Sequence, residues 1–319
     1  LRYGLDDRRA APERVFPLNG TREGLFAACV ALVPETKHGE RPAVLLPNPF
    51  YQIYEGAALM AGAVPTYLNV RRQDDYLPVL EDIPPAILHE TRVFYLCSPV
   101  NPCGTIASRD YLRTLAELAI EYDFIVAADE CYIEIYRDKA PASALSAARD
   151  VSSDCRNMLT FHSLSKRSNL PGMRSGFVAG DPRLIKRFSE YRTYHGCAMS
   201  LAVQEASIAA WADDQHVVDN RVLYNQKYSL AEEILGEVMN IDIPPATFYL
   251  WPTVDDDDQR FCRRLYESQN VTTVPGSFLA RDTDGVNPGR GRIRLSLVAD
   301  IETTKVALTR LATFLKDGG

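Results

Sequence analysis

The chain has 319 residues, enough for about two domains at the usual ~100–200 residues each, so a peptide or a lone small module is excluded. Its 46% hydrophobic and 24% charged residues are typical of a folded globular protein, which argues against long disordered or fibrous segments. The 35 basic and 42 acidic residues give a net charge of -7, so we expect neither nucleic acid nor an anionic membrane as a partner.

Strand-like and helix-like runs alternate along the first part of the chain. Short apolar runs at 43–46, 64–67, 93–97, 125–128, 158–161 and 176–179 are predicted to be strands. Residues 111–122 and 183–191 carry apolar side chains at helical spacing and are predicted to cover the sheet. This alternation predicts an α/β fold with a mostly parallel sheet and covering helices.

The pattern changes near residue 200. Residues 200–238 read as continuous helix, and after two prolines the chain resumes as a strand at 247–251, an amphipathic helix, two strand-like runs and a final helix. The acidic run 255–258 is expected to cap that amphipathic helix. We expect residues 15–214 to form a large domain, residues 215–319 a connecting helix and a smaller α+β domain, and residues 1–14 the remnant of an N-terminal region that begins upstream.

Cysteine usage and hydropathy bear on the compartment. The seven cysteines are odd in number, widely spread and contain no C-x-x-C pair, which predicts reduced thiols and a cytoplasmic protein. The longest apolar stretches, at 43–47 and 124–128, are far shorter than the ~20 residues that span a bilayer. We therefore expect a soluble protein.

The segment 163–176 carries the strongest chemical signal. It reads Ser-Leu-Ser-Lys and then Asn-Leu-Pro-Gly-Met-Arg-Ser-Gly, between two predicted strands. Lys166 is flanked by hydroxyl residues, among them Ser163, and Arg174 lies eight positions further on, which suits a Schiff-base lysine beside a phosphate site. The alternative is a polar surface loop in which Lys166 is solvated.

Polar residues also follow other predicted strands. Asp129 and Tyr132 follow the strand 125–128, and Asn101 lies in a proline-rich turn after the strand 93–97. Because ligands bind at the carboxyl ends of strands in open α/β sheets, these side chains are expected to face one crevice. The alternatives are that Asp129 caps a following helix and that the turn holds no ligand.

Two further segments suit a flat, phosphorylated ligand. Gly20, Thr21 and Arg22 precede an apolar helix at 24–32, and free backbone N–H groups at a helix N-terminus cradle phosphate. Tyr51 follows a strand, where its ring could stack on a planar cofactor or pack in the core.

Arginines and histidines complete the candidate set. Arg292 and Arg294 alternate along a predicted strand and share a face, so they could form a fork for a carboxylate or a salt bridge. His162 and His195 lie near the predicted site, where packing is the more common role for a lone histidine. The five histidines form no metal-ligand pattern, so no metal is expected.

In order, these six motifs resemble the class I/II aminotransferases of fold type I, and the likeness runs from about residue 15 to the C-terminus. The resemblance implies pyridoxal 5'-phosphate as cofactor, amino-acid and 2-oxo-acid substrates, and a homodimer. It implies that Lys166 carries the cofactor as a Schiff base and then moves the substrate proton, and that Asp129 keeps the ring nitrogen protonated. The other implied contacts are Asn101 and Tyr132 at the ring 3-oxygen, Tyr51 on the ring face, Gly20, Thr21, Arg22, Ser163 and Arg174 at the phosphate, and Arg294 with Asn101 at the substrate.

Within that family, three stretches are most similar to the N-succinyldiaminopimelate aminotransferases of bacterial lysine biosynthesis: residues 19–25, 47–57 and 247–251. This similarity implies amino transfer between glutamate/2-oxoglutarate and N-succinyl-2-amino-6-oxopimelate. Such substrates carry a distal carboxylate, which needs a cation. Its candidates, among which the sequence does not choose, are Arg22, Arg71, Arg167 and His195.

Three other functions stay open. The first is an aminotransferase for another amino acid, of the aspartate or aromatic type. The second is a pyridoxal-phosphate C–S lyase, which would release pyruvate and ammonia from cysteine-like substrates, because the same electron sink permits either outcome. The third is a non-catalytic cofactor sensor fused to a DNA-binding module, which the acidic balance and the lack of a basic helix-turn-helix disfavour.

Overall fold

The structure of the protein, a computed structural model, describes residues 12–255 and 257–318. Of the segment 1–14 that the sequence set apart, residues 1–11 lie outside the described part, as does Asp256 of the acidic run. None of the described helices combines the length and the apolar character needed to cross a membrane. All seven cysteines are free.

The larger sheet has seven strands: β1 (Val15–Leu18), β2 (Ala43–Asn48), β3 (Val64–Asn69), β4 (Thr91–Cys97), β5 (Ile125–Asp129), β6 (Met158–Ser163) and β7 (Gly176–Gly180). Their spatial order is β1-β7-β6-β5-β4-β2-β3. Strands β3, β2, β4, β5 and β6 run parallel, and β7 and β1 are antiparallel to their neighbours. The mostly parallel α/β sheet is confirmed, and so is each of the six predicted strands.

Helices cover both faces of this sheet. They are α1 (Thr21–Leu32), α2 (Gln52–Met60), α3 (Pro85–Glu90), α4 (Arg109–Glu121), α5 (Ala144–Val151), α6 (Leu164–Arg167) and α7 (Pro182–Arg192). Because successive strand side chains point to opposite faces, Phe94 packs in the core under α4 and α5, whereas Tyr95 packs in the core under α1, α2 and α7. The two predicted covering helices correspond to α4 and α7.

The described residues beyond 200 form four helices and a second sheet. The helices are α8 (Leu201–Ala212) and α9 (Gln215–Leu235), followed by α10 (Asp258–Gln269) and α11 (Ile301–Lys316). The strands β8 (Tyr249–Leu250), β9 (Val274–Pro275) and β10 (Ile293–Ser296) form an antiparallel sheet in the order β8-β10-β9. Short 3-10 turns occur at Pro12–Arg14, Arg72–Asp74, Leu80–Asp82, Pro171–Met173 and Gly276–Leu279.

Three details differ from the prediction or refine it. The continuous helix expected at 200–238 is broken between α8 and α9, where the Asp213 carboxylate accepts a hydrogen bond from Gln215 N at 2.8 Å and starts a new helix. The strand expected at 247–251 is paired only over two residues. Asp257 caps α10, accepting from Gln259 N and Arg260 N, so the capping role of the acidic run is confirmed there.

Candidate active site

A cavity of about 710 Å³ lies between the carboxyl edge of the larger sheet and the smaller sheet. Of the residues to which the family resemblance assigns a role, every one except Gly20 lines it. The lining comprises Thr21, Arg22, Tyr51, Gln52, Cys97, Asn101, Asp129, Cys131, Tyr132, Ser163, Ser165, Lys166, Pro171, Arg174, Tyr249, Val274, Leu279 and Arg294. Residues from separate strand ends meet here because the parallel strands β4, β5 and β6 end side by side.

Asp129 is the buried acid of this cavity. Its Oδ2 accepts a hydrogen bond from Tyr54 Oη at 2.8 Å, and its Oδ1 accepts one from Cys131 N at 3.2 Å. Burial raises the pKa of Asp129, and the hydrogen bonds from Cys131 and Tyr54 act in the opposite direction. Residues 131–134 form a turn, so the alternative that Asp129 caps a following helix is wrong. A protonated ring nitrogen beside this carboxylate would offset the cost of its burial.

Tyr54 holds the Asp129 carboxylate through the hydrogen bond that its hydroxyl donates. It was not among the predicted site residues. It is fully buried in α2, with its ring stacked on Tyr95 at 4.5 Å between centroids. Its place in an apolar helix predicted only core packing, so the sequence held no distinct signal for its contact with Asp129. Tyr51 itself lines the cavity, and its hydroxyl accepts a hydrogen bond from Arg22 Nε at 2.6 Å.

Lys166 is half-buried in α6, so it is not the solvated surface lysine of the alternative reading. Its Nζ lies 5.8 Å from the centre of the Tyr132 ring and 5.2 Å from that of Phe248. Burial lowers the pKa of Lys166, against the opposing charge of Asp129. A lowered pKa increases the fraction of neutral amine, which is the nucleophilic form.

The loop after Lys166 is tied to α9. Asn169 Oδ1 accepts a hydrogen bond from Tyr224 Oη at 2.9 Å, and Asn169 Nδ2 donates to Asn220 Oδ1 at 2.7 Å. The Tyr224 ring in turn stacks on Phe248 with centroids 5.4 Å apart. These contacts hold the lysine loop against the helix that leads to the smaller sheet.

One end of the cavity is built to hold an anion. Gly20 has φ +84°, and a Cβ there would lie 2.1 Å from Arg174 Nη2, so only glycine lets the guanidinium approach the start of α1. Helix α1 begins at Thr21 without a side-chain cap, and Ser163 lies nearby in the lining. A helix N-terminus, hydroxyls and an arginine are the groups that bind phosphate.

Arg294 faces the opposite end. Its Nη1 donates to Asn101 Oδ1 at 3.0 Å, and its Nε is buried without a hydrogen-bond partner among the described residues. An unsatisfied buried N–H is costly, and a ligand carboxylate would satisfy it. The predicted arginine fork is wrong, because Arg292 turns away to donate to Trp251 O at 3.0 Å and to lie over the Tyr76 ring.

Among the four candidates for a distal carboxylate, Arg22 alone lines the cavity. Arg71 forms a surface ion pair with an aspartate at 2.6 Å, Arg167 is buried against α8, and His195 is exposed. His162 is buried in β6, and its Nε2 lies 3.3 Å from the carboxylate of Glu130. The sequence could not choose among these arginines and histidines, because only the tertiary structure shows which side chains are paired with other residues and which face the cavity.

The donor set fits pyridoxal phosphate. The anion cradle at Gly20 and Arg174 suits a phosphate, and buried Asp129 suits a pyridinium nitrogen. Lys166 supplies the amine between them, and within the described residues the buried Arg294 Nε has no acceptor, which a substrate carboxylate would provide. No group of three or more potential metal ligands occurs in the part of the chain that the structure describes.

The chain matches known aminotransferases in sequence and in structure. Residues 7–311 match the family described as aminotransferase class I and II. An LL-diaminopimelate aminotransferase of Dehalococcoides mccartyi is 31% identical over 310 residues, which cover 95% of this chain and 75% of that protein.

Two solved structures superimpose closely. An aminotransferase from Neisseria meningitidis gives a TM-score of 0.89 at 44% identity, covering 95% of this chain and 77% of that chain. A probable N-succinyldiaminopimelate aminotransferase from Thermus thermophilus gives a TM-score of 0.84 at 27% identity, covering 98% of this chain and 80% of that chain.

Proposed function

The chain belongs to the class I and II aminotransferases, which depend on pyridoxal phosphate, and we propose that it transfers an amino group between glutamate and N-succinyl-2-amino-6-oxopimelate, a step of diaminopimelate and lysine biosynthesis. The observation that carries this proposal is the meeting of Lys166, Asp129 and Arg294 around one cavity. A lysine amine, a buried acid and a carboxylate-binding arginine are the groups that amino-group exchange requires.

The cavity's charge supports an acidic substrate. Its lining contains four cationic side chains and a single carboxylate: Arg22, Lys166, Arg174, Arg294 and Asp129. At the end away from the reacting amine, LL-diaminopimelate carries an ammonium group and a carboxylate, whereas the succinylated substrate carries an amide and two carboxylates. The described lining offers no carboxylate besides Asp129 to pair with a distal ammonium group, which favours the succinylated substrate. LL-diaminopimelate is the second candidate because the Dehalococcoides relative is named for it.

Each group has a defined task in this proposal. When bound, pyridoxal phosphate provides the electron sink that stabilises negative charge at the substrate α-carbon. Arg294 binds the substrate α-carboxylate, and Lys166 Nζ takes the α-proton and returns it at the cofactor carbon. Asp129 keeps the ring nitrogen protonated.

Other lining residues hold the cofactor in this proposal. Tyr51 covers the ring face, and Asn101 and Tyr132 bind the ring 3-oxygen. The phosphate ligands are Gly20, Thr21, Arg22, Ser163 and Arg174.

Arg22 is proposed to bind the distal carboxylate as well. Its side chain is exposed at the cavity mouth and is held by the Tyr51 hydroxyl rather than by an acid. An Arg22→Gln variant separates the two roles. If Arg22 binds the distal carboxylate, KM rises for glutamate and not for alanine as amino donor; a purely phosphate role lowers pyridoxal phosphate affinity and leaves the ratio of the two KM values unchanged.

We also propose a homodimer, the two-domain division at residues 214/215, and a cytoplasmic location. Helix α8 exposes large apolar side chains, Leu201 by 79% and Ile208 by 65%, which suits burial against a second copy. Buried residues of α9, α10, α11 and the smaller sheet form a hydrophobic cluster of their own, which supports the domain division, and the seven free thiols suit a reducing compartment.

The test is an amino-exchange assay with the purified, cofactor-loaded protein. With glutamate as donor and N-succinyl-2-amino-6-oxopimelate as acceptor, we expect stoichiometric release of 2-oxoglutarate. Amino transfer from LL-diaminopimelate to 2-oxoglutarate, with no activity toward the succinylated acceptor, would select the LL-diaminopimelate reaction instead. Pyruvate and ammonia from cysteine-like substrates, without amino exchange, would contradict the aminotransferase proposal.

A further inference from the structure

Tyr249 joins the cofactor side of the cavity to its substrate side. It lies in β8 of the smaller sheet and is 6% exposed. Its hydroxyl lies 2.9 Å from the hydroxyl of Tyr132, and the Arg294 guanidinium lies over its ring at 4.6 Å from the centroid. One side chain thus contacts both the phenol proposed for the ring 3-oxygen and the proposed carboxylate-binding arginine.

The direction of the proton between the two phenols decides what Tyr132 can do. Each phenol has one hydrogen to donate. If Tyr132 donates to Tyr249, it has no hydrogen left for the cofactor. If Tyr249 donates to Tyr132, the Tyr132 hydrogen is free to point at the ring 3-oxygen.

The charge distribution favours Tyr249 as the donor. The positive charge of Arg294 opposes the effect of burial on the pKa of Tyr249, which makes its hydroxyl the better donor. The charged and ionisable groups that face the pair are Cys97, Cys131 and Lys166 near Tyr132, and Cys97, Tyr51 and Arg294 near Tyr249. Of the two cations, Arg294 lies closer to its phenol, at 4.6 Å from the Tyr249 ring centre against 5.8 Å for Lys166 from that of Tyr132.

The backbone around Tyr249 holds it in place. Thr247, a buried β-branched residue, adopts φ 73°, a conformation that such residues rarely occupy. Its hydroxyl accepts a hydrogen bond from Tyr249 N at 3.2 Å, and its own N–H donates to Ile135 O at 2.8 Å. Tyr249 is therefore fixed by a strained turn anchored to the segment that follows Asp129.

We propose that Tyr249 is a positioning residue with two roles. Its hydroxyl donates to the Tyr132 hydroxyl, so that the Tyr132 hydrogen faces the cofactor. Its ring packs against the Arg294 guanidinium and holds it in place through the cation–π contact. The inference rests on the proposed function, since it assigns Tyr132 to the cofactor and Arg294 to the substrate. Through Tyr249 the smaller sheet contacts both the cofactor-binding Tyr132 and the substrate-binding Arg294.

The experiment is a pH titration of the visible absorption of the bound cofactor in the holoenzyme without substrate. A hydrogen bond to the ring 3-oxygen stabilises its anionic form, so weakening that bond moves the titration midpoint to higher pH. We expect Tyr249→Phe to raise the midpoint by about half to one pH unit, the equivalent of one hydrogen bond. Tyr132→Phe is expected to raise it further.

Two comparisons decide the outcome. Tyr249→Phe should not move the midpoint when Tyr132 is already phenylalanine, because its effect passes through Tyr132. The matched control is Tyr111→Phe, a half-buried tyrosine that donates to Pro78 O at 2.9 Å outside the cavity, and it should leave the midpoint unchanged. An unchanged midpoint in Tyr249→Phe, or an equal shift in both backgrounds, overturns the proposal.

The same variants report on Arg294. Tyr249→Phe retains the ring under the guanidinium, so its KM for glutamate should stay within about threefold of wild type, whereas Tyr249→Leu should raise it by about fivefold or more through loss of the cation–π contact. Equal KM values for the two variants contradict the support of Arg294. Because the midpoint is read without substrate, failure of the wild type to exchange amino groups would refute the proposed function separately.

Discussion

The floor and the wall of the cavity are built differently. The floor is the carboxyl edge of the larger sheet, where Asp129 ends a five-residue strand and both of its oxygens accept hydrogen bonds within the protein. The wall comes from the smaller sheet, where β8 and β9 have two residues each. There Arg294 presents a buried Nε without a partner among the described residues.

This difference matches two kinds of ligand. A cofactor that stays bound benefits from a rigid floor whose polar groups are already satisfied and oriented. A substrate that binds and leaves at each turnover needs a group that becomes satisfied only when the substrate arrives. Substitutions in the floor should therefore reduce kcat, and substitutions in the wall should mainly raise KM.

The largest effect is expected for Asp129→Asn in the floor. The amide cannot balance a protonated ring nitrogen, so we expect kcat to fall by about 10³-fold, comparable to the loss of one preorganised electrostatic group. Single-turnover measurements of the glutamate half-reaction provide the test. Asp150→Asn, which alters only an exposed ion pair with Arg109, is the control. Wild-type kcat in Asp129→Asn would contradict the role of the floor.

The next effect is expected for Arg294→Gln in the wall. Loss of a charged partner for the substrate carboxylate should raise the glutamate KM by about 10²-fold, while the affinity for pyridoxal phosphate stays near that of wild type. Arg292→Gln is a matched control two residues away, since Arg292 faces Tyr76 and not the cavity. Equal KM values in the two variants would show that the wall does not bind substrate through Arg294.

A smaller effect is expected for Tyr54→Phe beneath the floor. The Tyr54 hydrogen bond opposes the burial that raises the pKa of Asp129, so its loss should raise that pKa further. Activity that needs ionised Asp129 is lost as pH falls through this pKa, so the acidic limb of the kcat profile should move to higher pH. We expect about a fivefold fall in kcat at neutral pH.

The matched control for Tyr54→Phe is Tyr95→Phe. Tyr95 stacks on Tyr54 but donates to Leu25 O at 2.8 Å, away from Asp129. The acidic limb of the kcat profile of Tyr95→Phe should lie at the same pH as that of the wild type. A shift of equal size in both variants would mean that packing, and not the hydrogen bond to Asp129, controls the limb.

The sequence predicted the floor better than the wall. Asp129, Asn101 and Lys166 each follow a strong apolar strand, and in a parallel sheet neighbouring strand ends meet at one edge. The edge strand β1 was missed because Pro17 interrupts its pattern, which an edge position tolerates.

The wall depends on contacts distant in sequence. Tyr249 lies in β8, which pairs with β10 over only two residues. A strand of that length is too short to show a periodic pattern, so the sequence does not predict its contact with Tyr132. The choice between Arg292 and Arg294 depends on how the chain enters β10, which alternation along a strand cannot decide. Tyr54 was missed for a related reason, since a buried tyrosine in an apolar helix has the same sequence pattern whether or not it supports an acid.

The most direct measurement is the visible absorption spectrum of the holoenzyme before and after addition of glutamate, with Lys166→Ala beside it. We predict an absorption band from cofactor bound to Lys166 that disappears with glutamate in the wild type. The variant should lack that protein-linked band although it still binds pyridoxal phosphate through the anion cradle. A wild-type spectrum indistinguishable from that of Lys166→Ala, or a band that glutamate does not change, would contradict the assignment of Lys166 as the lysine of amino-group transfer.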